Sequence, residues 1–212
     1  YYRNGFPTDA IWKIFTARHP KHPENREFSI EFSVGDEASA WKRYIPCKTA
    51  NDLRNVVTDA NFEAVHIGPC FSDSSRRARA PTVHVVGKEL VFDLDLQDVA
   101  WFGVDKADQT SKDGNDRHVR AVFASCAVLV EILREVMGFE QFLAVYSGRR
   151  GVHLWVLDER AFGWGDGERD ALCKFIAGTP SKSDSRVIET RHIRKNPSFG
   201  ENTWKAVEMA RN

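Results

Sequence analysis

Several features that mark particular classes of protein are absent from this chain of 212 residues. No apolar run approaches the roughly 20 residues that a bilayer-spanning helix needs, so we predict no contact with a membrane. Cysteine is scarce, and no two cysteines stand in a Cys-x-x-Cys pair, which argues against both a zinc site and a secreted disulfide framework. We expect reduced, mostly buried thiols in an intracellular protein; the four cysteines are Cys47, Cys70, Cys126 and Cys173.

An excess of charge of either sign is also lacking. Lys and Arg together number 30, as do Asp and Glu, so the formal net charge is zero. Proteins that bind nucleic acid are often basic overall. The balance of charges therefore argues against a large positively charged binding surface, but it is compatible with a local basic groove. The hydrophobic fraction of 42% is ordinary for a globular chain, and the length suffices for one domain with a buried core.

The spacing of apolar residues predicts a mixture of strands and helices. Apolar and polar residues alternate between 28 and 34, where a strand leads through Gly35 and Asp36 into a return strand at 41–45. Thr49 is a candidate N-cap of a short helix. Hairpins beside helices favour an α+β fold, with mixed or antiparallel sheets flanked by helices. The remaining predictions are helices at 11–18, 119–136 and 168–176, strands at 64–67, 89–96, 142–146 and 152–156, and polar loops at 72–81 and 103–115.

Two aspartates stand in the apolar strand at 89–96. Because side chains alternate along a strand, Asp93 and Asp95 point to one face while Phe92 and Leu94 point to the other. Two neighbouring carboxylates repel each other, which favours a shared proton or a divalent cation, and oxygen ligands suit Mg²⁺ or Mn²⁺. A solvated strand face is the alternative interpretation, although acids are unusual inside strands.

A glycine-flanked turn follows the strand at 142–146, and its sequence at 146–153 is YSGRRGVH. Glycine lets the backbone approach a ligand, arginine binds phosphate oxygens bidentately, and histidine adds a donor. A basic hairpin turn is the alternative interpretation, whereas a P-loop is excluded because its Gly-x-x-x-x-Gly-Lys-Ser/Thr pattern is absent. A carboxylate pair for metal and a cationic cradle for a triphosphate are together what two-metal nucleotidyl transfer requires. The cradle residues are Ser147, Arg149, Arg150 and His153.

The same segments resemble a known family. YSGRRGVHLWV at 146–156 resembles the signature of the small, catalytic subunit of eukaryotic-type DNA primases, and ELVFDLDLQD at 89–98 resembles the metal-binding strand of that family. YYR at 1–3, FP at 6–7 and REFS at 26–29 match the opening of the family in the same order. The resemblance implies the archaeo-eukaryotic primase fold, with a catalytic domain at 1–178. A polar, basic tail or the start of a helical subdomain would follow at 179–212.

The resemblance also implies roles for individual residues. Asp93 and Asp95 become the catalytic ligands of Mg²⁺ or Mn²⁺, and the cradle residues hold the triphosphate of the incoming nucleotide. Arg43 is similar to a further phosphate-contacting arginine, and Glu27 is similar to an acidic residue near the active centre. His66 falls where the family carries an acidic residue close to the ribose; a core histidine at a strand end is its alternative interpretation.

The sequence departs from the family in two respects. The cysteine-rich zinc knuckle of the family has no counterpart, since the stretch 100–118 contains no cysteine, and we therefore predict no zinc. A third catalytic aspartate belongs downstream of the turn, but no candidate appears before Asn212, because Asp158 matches a position that is not catalytic. The chain is therefore expected to be the front part of a longer protein.

The resemblance implies a DNA primase that makes short RNA primers on single-stranded DNA from nucleoside triphosphates. Its implied partners are a primase large subunit and a replicative polymerase complex, and its implied location is the nucleus if the protein is a cellular eukaryotic one. Two alternatives remain: a truncated or inactive module that binds nucleotide or template without catalysis, and a viral or repair primase–polymerase. Separately, Arg76, Arg77 and Arg79 lie in the polar loop at 72–81, where solvated charge is favoured over a template contact.

Overall fold

The computed structural model describes residues 5–18, 21–34, 38–59, 62–95, 112–147 and 151–177. The chain divides into two compact units, Tyr1–Lys88 and Glu89–Asn212. Both contain helices and antiparallel sheet, so the α+β prediction is confirmed. Within the described ranges, helix length and hydropathy together give no candidate for a bilayer-crossing segment.

The first unit contains a four-stranded antiparallel sheet in the order β2-β1-β3-β4. One face of this sheet is packed against two helices, α1 and α2, through their apolar sides. Two short 3-10 turns, Pro23–Asn25 and Ser75–Arg77, lie before β1 and after β3. The elements are α1 (Thr8–Thr16), β1 (Arg26–Val34), β2 (Ala38–Ile45), α2 (Ala50–Asp59), β3 (Ala64–Phe71) and β4 (Val85–Gly87).

Alternation along β1 decides which side chains are buried with the helices. Phe28 and Ile30 face the core at 0% and 3% exposure, and Trp12 of α1 stacks on Phe28 with 6.2 Å between ring centroids. Glu27 and Ser29 point to the opposite face, as a period of two requires. The buried core residues of this unit are Phe28, Ile30, Ile45, Cys47, Leu53, Val57 and Phe62.

A β-bulge interrupts the pairing of β1 with β2. Phe28 is opposite Ile45 and Ile30 is opposite Lys42, so the two residues Arg43 and Tyr44 share the position beside Ser29. Tyr44 absorbs the extra residue with φ of 57°, a left-handed conformation that costs a non-glycine residue about 1–3 kcal/mol. The bulge therefore changes the direction in which the side chains of β2 leave the strand.

The N-cap predicted for α2 is confirmed. The Thr49 hydroxyl accepts the Asp52 backbone N–H at 3.1 Å, and the Asp52 carboxylate accepts the N–H groups of Lys48 and Thr49 at 2.9 Å each. This reciprocal arrangement satisfies donors at the helix start. The backbone N–H of Lys48 is the largest cause that lowers the pKa of Asp52.

The second unit contains a three-stranded antiparallel sheet in the order β5-β7-β6, with α3 packed on one face. Val152, Leu154 and Val156 of the central strand are each 0% exposed on that face. Burying one such aliphatic side chain contributes about 1.5–3 kcal/mol relative to leaving it exposed. The elements are β5 (Leu90–Asp95), α3 (Lys112–Met137), β6 (Phe142–Tyr146), β7 (Gly151–Val156), α4 (Glu159–Phe162) and α5 (Asp166–Ala177).

The helix predicted at 119–136 is present as α3, but it begins earlier in the sequence than predicted. The helix begins at Lys112, so the last part of the loop predicted at 103–115 is helical. The first turns are polar and carry no apolar period, which is the signal on which the prediction depended. The predicted end is confirmed, because Gly138 adopts φ of 64°, the left-handed conformation in which helices often stop.

Candidate active site

Asp93 and Asp95 lie on the face of the second sheet that is turned away from its core. Their neighbours Phe92 and Leu94 pack against the buried cluster, so alternation along β5 places both carboxylates on the opposite face. The side chain of Asp93 is 75% exposed. The predicted sharing of one face by the two aspartates is therefore confirmed, and the Asp93 carboxylate is accessible to a ligand on that face.

His153 shares this face with the aspartates. In the antiparallel pairing it lies directly opposite Asp93 on one side and Val145 on the other. The distance from His153 Nε2 to Asp93 Oδ1 is 3.5 Å, and the imidazole is 43% exposed. Strand register thus brings together a carboxylate and an imidazole that stand 60 residues apart in the sequence.

Ser147 closes the base of the turn between β6 and β7. Its hydroxyl accepts the backbone N–H of Gly151 at 3.0 Å, and its own N–H donates to the Gly151 carbonyl at 2.9 Å. These two bonds fix where the turn leaves the sheet, next to the row that holds Asp95 and Gly151. Arg149 and Arg150 lie outside the described residues.

Gly151 allows a close approach of β5 and β7 beside Asp95. A Cβ atom added at Gly151 would lie 2.8 Å from the backbone oxygen of Leu94, closer than real Cβ atoms come to a carbonyl. The glycine that ends the turn therefore has a packing requirement of its own. It keeps the strand that carries the two aspartates in register with the strand that carries His153.

The donor set on this face suits a hard divalent cation. Asp93 and Asp95 offer carboxylate oxygens only, which Mg²⁺ and Mn²⁺ prefer, and no thiol lies on their strand. Among the residues that the structure describes, no group of three or more His, Cys, Asp or Glu side chains is arranged to hold a metal ion. The two aspartates fit as part of a metal site that needs further oxygen ligands.

In the first unit, the structure brings together Glu27 and Arg43, two of the residues singled out from the sequence. Arg43 donates from Nε to Glu27 Oε1 at 3.0 Å and from Nη2 to Oε2 at 3.3 Å. Glu27 is 1% exposed, whereas the Arg43 side chain is 51% exposed. The hydrogen bond that Arg43 donates to Glu27 is the main cause that raises the pKa of Arg43 above its ordinary value.

Two further contacts fix the Glu27 carboxylate from within the protein. Ser29 donates its hydroxyl to Glu27 Oε1 at 2.9 Å. Gly68 of β3 leaves room for the carboxylate, because a Cβ atom there would lie 2.6 Å from Glu27 Oε2. A buried acid with fixed hydrogen-bond partners thus holds one edge of an arginine whose remaining surface is accessible.

His66 lies on the same face of the first sheet, opposite Ser29 in the register of β1 with β3. Its ring packs on that of Trp41 with 4.2 Å between centroids, and its Nε2 lies 3.4 Å from Glu31 Oε2. The His66 side chain is 40% exposed, so the alternative interpretation of a core histidine is wrong. The alternation along β1 already predicts that Glu31 lies on the polar face of the sheet, but no pattern in the sequence predicts its contact with His66.

Asp158 is buried and its carboxylate binds backbone N–H groups. It is 8% exposed, and its carboxylate accepts the backbone N–H groups of Glu140 and Gln141 at 3.1 and 2.9 Å. These bonds join the start of α4 to the segment that leads into β6. Such an arrangement stabilises the fold and needs no catalytic function.

The sequence of the chain is similar to those of a known protein family. The family model described as DNA primase small subunit matches residues 92–198, about half of the chain. The DNA primase small subunit of Saccharomyces cerevisiae is 30% identical over 184 residues, covering 83% of this chain and 42% of the yeast protein. The subunit of Schizosaccharomyces pombe is 30% identical over 181 residues, covering 83% and 38%.

Similarity extends to archaea. The DNA primase small subunit PriS of Methanoregula boonei is 34% identical over 165 residues, which cover 75% of this chain and 40% of that protein. The chain spans about two fifths of the length of the curated relatives it matches. The match of the family model begins at Phe92, beside the first aspartate, and includes the turn and His153. On these sequence similarities, the chain belongs to the DNA primase small subunit family.

Proposed function

We propose that the chain is the front part of the catalytic subunit of a DNA primase, a nucleotidyltransferase that makes short RNA primers on single-stranded DNA from nucleoside triphosphates. Family membership supports the class of reaction. The observation that carries the proposal is the row of Asp93 and His153, with Asp95 beside it, on the open face of the sheet. Residues 1–178 would form the catalytic domain.

Asp93 and Asp95 would hold two Mg²⁺ or Mn²⁺ ions. When bound, such ions supply activation of the attacking 3′-hydroxyl and neutralisation of the charge on the α-phosphate. The packing of Phe92 and Leu94 against the core would keep the opposite face of β5, with both carboxylates, turned toward the substrate. The rest of the full-length protein would contribute the third carboxylate.

Ser147, Arg149, Arg150 and His153 would bind the triphosphate of the incoming nucleotide. The imidazole of His153, with Nε2 3.5 Å from Asp93 Oδ1, would donate to a phosphate oxygen from its position on the sheet face. The hydrogen bonds between Ser147 and Gly151 hold the start and the end of the turn together. A turn closed at its base loses less conformational entropy when it binds an anion.

The polar face of the first sheet would also contribute to substrate binding. Arg43 would contact phosphate, with Glu27 holding its guanidinium, and His66 would lie close to the ribose. The partners that we infer are the DNA template, the RNA primer, a primase large subunit and a replicative polymerase complex. The nucleus would be the location of the protein in a eukaryotic cell.

Primer synthesis by the full-length protein tests the proposal. The assay measures incorporation of labelled ribonucleotides on a single-stranded DNA template with Mg²⁺ or Mn²⁺. Asp93→Asn and Asp95→Asn should each reduce incorporation by at least about a hundredfold, since each removes a metal-binding charge. Asp170→Asn is the matched control, because this acid lies on α5 in an exposed ion pair with Lys174.

The result separates the proposal from its two alternatives. Template-dependent RNA synthesis that is lost in both strand variants and retained in the control supports a primase. Nucleotide or template binding without synthesis by the full-length protein would indicate an inactive binding module. A preference for deoxynucleotides over ribonucleotides would indicate a primase–polymerase of the repair or viral type.

A further inference from the structure

The guanidinium groups of two arginines, far apart in sequence, converge on the ring of Tyr44. The Arg43 Cζ lies 4.8 Å from the ring centroid, and the Arg79 Cζ lies 5.4 Å from it. Both distances are within the range of a cation–π contact. Two positively charged groups therefore contact the same ring.

The position of Tyr44 is set by the backbone. Its left-handed φ at the bulge of β2 directs the ring out of the regular strand pattern, where it meets Phe71 edge-on with 6.3 Å between centroids. Non-glycine residues adopt this conformation at a cost, and such strain is concentrated at functional sites. A fixed ring in turn gives each arginine a fixed surface on which to lie.

The two arginines differ in how their charge is compensated. Arg43 is held by the buried Glu27, which occupies one edge of its guanidinium. Arg79 is exposed, and no acidic side chain in the described ranges pairs with it. Of its neighbours in the loop, Arg77 forms an ion pair with Asp73. The surface around the Tyr44 ring therefore has an excess of positive charge, which comes from Arg79.

We propose that Arg79, together with Arg43 on the Tyr44 ring, forms a phosphate-binding site for a nucleic acid strand or a nucleotide. This inference rests on the proposed function for the class of ligand, but it assigns Arg79 and Tyr44, which the family resemblance did not single out. A guanidinium stacked on a ring keeps its N–H edges available, and those edges bind phosphate oxygens bidentately. The positive charge of Arg79, which no acid in the described ranges compensates, complements the negative charge on a phosphate group of either ligand.

Binding measurements with the full-length protein test the site. Fluorescence anisotropy of a labelled oligodeoxythymidylate gives the dissociation constant for a strand, and displacement of a fluorescent ATP analogue by ATP gives that for a nucleotide. Arg79→Ala should weaken one of these affinities about threefold to tenfold. If the ligand is the strand, the slope of log K against log salt should also fall by about 0.7, the value for one phosphate contact to a single strand.

Arg76→Ala is the matched control, because Arg76 is an exposed arginine of the same loop, whereas the cation–π contact with Tyr44 is made by Arg79. Tyr44→Leu supplies a second variant, which keeps both arginines and removes the ring; it should reproduce the loss, whereas Tyr44→Phe should not. Thermal melting of each variant confirms that it is folded. The site itself is overturned if Arg79→Ala changes both affinities no more than Arg76→Ala does.

The two ligands distinguish the source of the phosphate. A loss restricted to the oligonucleotide assigns the site to a strand, and a loss restricted to ATP assigns it to a nucleotide. Both assays measure binding without primer synthesis. If the protein does not synthesise primers, the binding measurements still show whether Arg79 contacts phosphate. If Arg79 does not contact phosphate, the proposal that Asp93 and Asp95 support primer synthesis is unaffected.

Discussion

Glu27 holds Arg43 through two hydrogen bonds, from Nε at 3.0 Å and from Nη2 at 3.3 Å, with the carboxylate buried and the guanidinium half exposed. The acid is bound on its inner side by the Ser29 hydroxyl and faces Gly68. The ion pair therefore has a rigid member and an accessible member. Glu27 is therefore suited to hold Arg43 in position for contact with an anion.

Glu27→Gln should lower both stability and phosphate affinity. The amide keeps the shape of the side chain but removes its negative charge. Its NH₂ group would also face the N–H donors of Arg43, so one hydrogen bond would be lost. The free energy of unfolding should therefore fall by about 1–3 kcal/mol. Urea unfolding measures this loss. Ser29→Ala is the control, because it removes one contact of Glu27 while both bonds from Arg43 remain.

A double-mutant cycle separates positioning from stability alone. If Glu27 acts by holding Arg43, Glu27→Gln should weaken oligonucleotide or ATP binding in the wild-type background and have little effect once Arg43 is alanine. Additive losses of affinity in the cycle would mean that Glu27 and Arg43 act independently, and the positioning function would then be wrong.

Gly151→Ala should disturb the face that carries the aspartates. The added Cβ would lie 2.8 Å from the Leu94 oxygen, so β5 and β7 must separate, at a cost of about 1–3 kcal/mol. Primer synthesis should fall along with the melting temperature. Gly163→Ala provides the control, because a Cβ there would meet no atom within 4 Å; equal effects of the two substitutions would contradict the packing requirement.

Asp158→Ala should destabilise the protein without a specific effect on catalysis. It removes the acceptor of the Glu140 and Gln141 N–H groups, and leaving such donors unsatisfied costs about 1–3 kcal/mol. The midpoint of urea unfolding should fall, while the KM for nucleotide in the folded fraction should stay the same. A changed KM with unchanged stability would show that this acid contacts the substrate after all.

Cys47 should make the fold sensitive to alkaline pH. Burial, assisted by the nearby charge of Asp52, raises the pKa of this thiol from its ordinary value of 9.0 to about 12. The unfolded chain therefore loses the proton first. Below pH 9.0 the thiol is neutral in both states and the raised pKa costs nothing, whereas stability falls as the pH rises from there toward 12.

Urea unfolding at a series of pH values measures this dependence. Cys47→Ala should reduce the loss of stability above the ordinary thiol pKa, although part will remain because burial also raises the pKa of Cys126. Cys173, which is exposed, should react with a thiol reagent in the folded protein, whereas the buried Cys47 should be protected. An alkaline transition that Cys47→Ala leaves unchanged would exclude this thiol as a cause.

Local patterns predicted those parts of the fold that depend on short-range regularity. Alternation around Asp93 and Asp95 was sufficient to place both on one face, because Phe92 and Leu94 had to be buried. The glycine at 138 similarly marked the end of α3. The strand β4 was missed because it has only three residues and its valines are exposed, so it shows no burial pattern.

The contacts between strands could not be derived from the sequence. The pairing of Glu27 with Arg43 depends on the bulge at Tyr44, and a positive φ at a tyrosine has no signal in composition or periodicity. His66 was equally consistent with a core and a surface position until the register with β1 placed it beside Trp41 and Glu31. Register is set by the whole sheet, which no single segment specifies.

Binding of Mn²⁺ is the most direct test of the two aspartates as metal ligands. Electron paramagnetic resonance of the full-length protein, titrated with Mn²⁺ in the presence of nucleotide, gives the affinity and the number of ions bound. Asp93→Asn and Asp95→Asn should each weaken Mn²⁺ binding by at least about tenfold, while Asp170→Asn should leave it unchanged. Wild-type affinity in both folded strand variants would contradict the assignment of this face as the metal site.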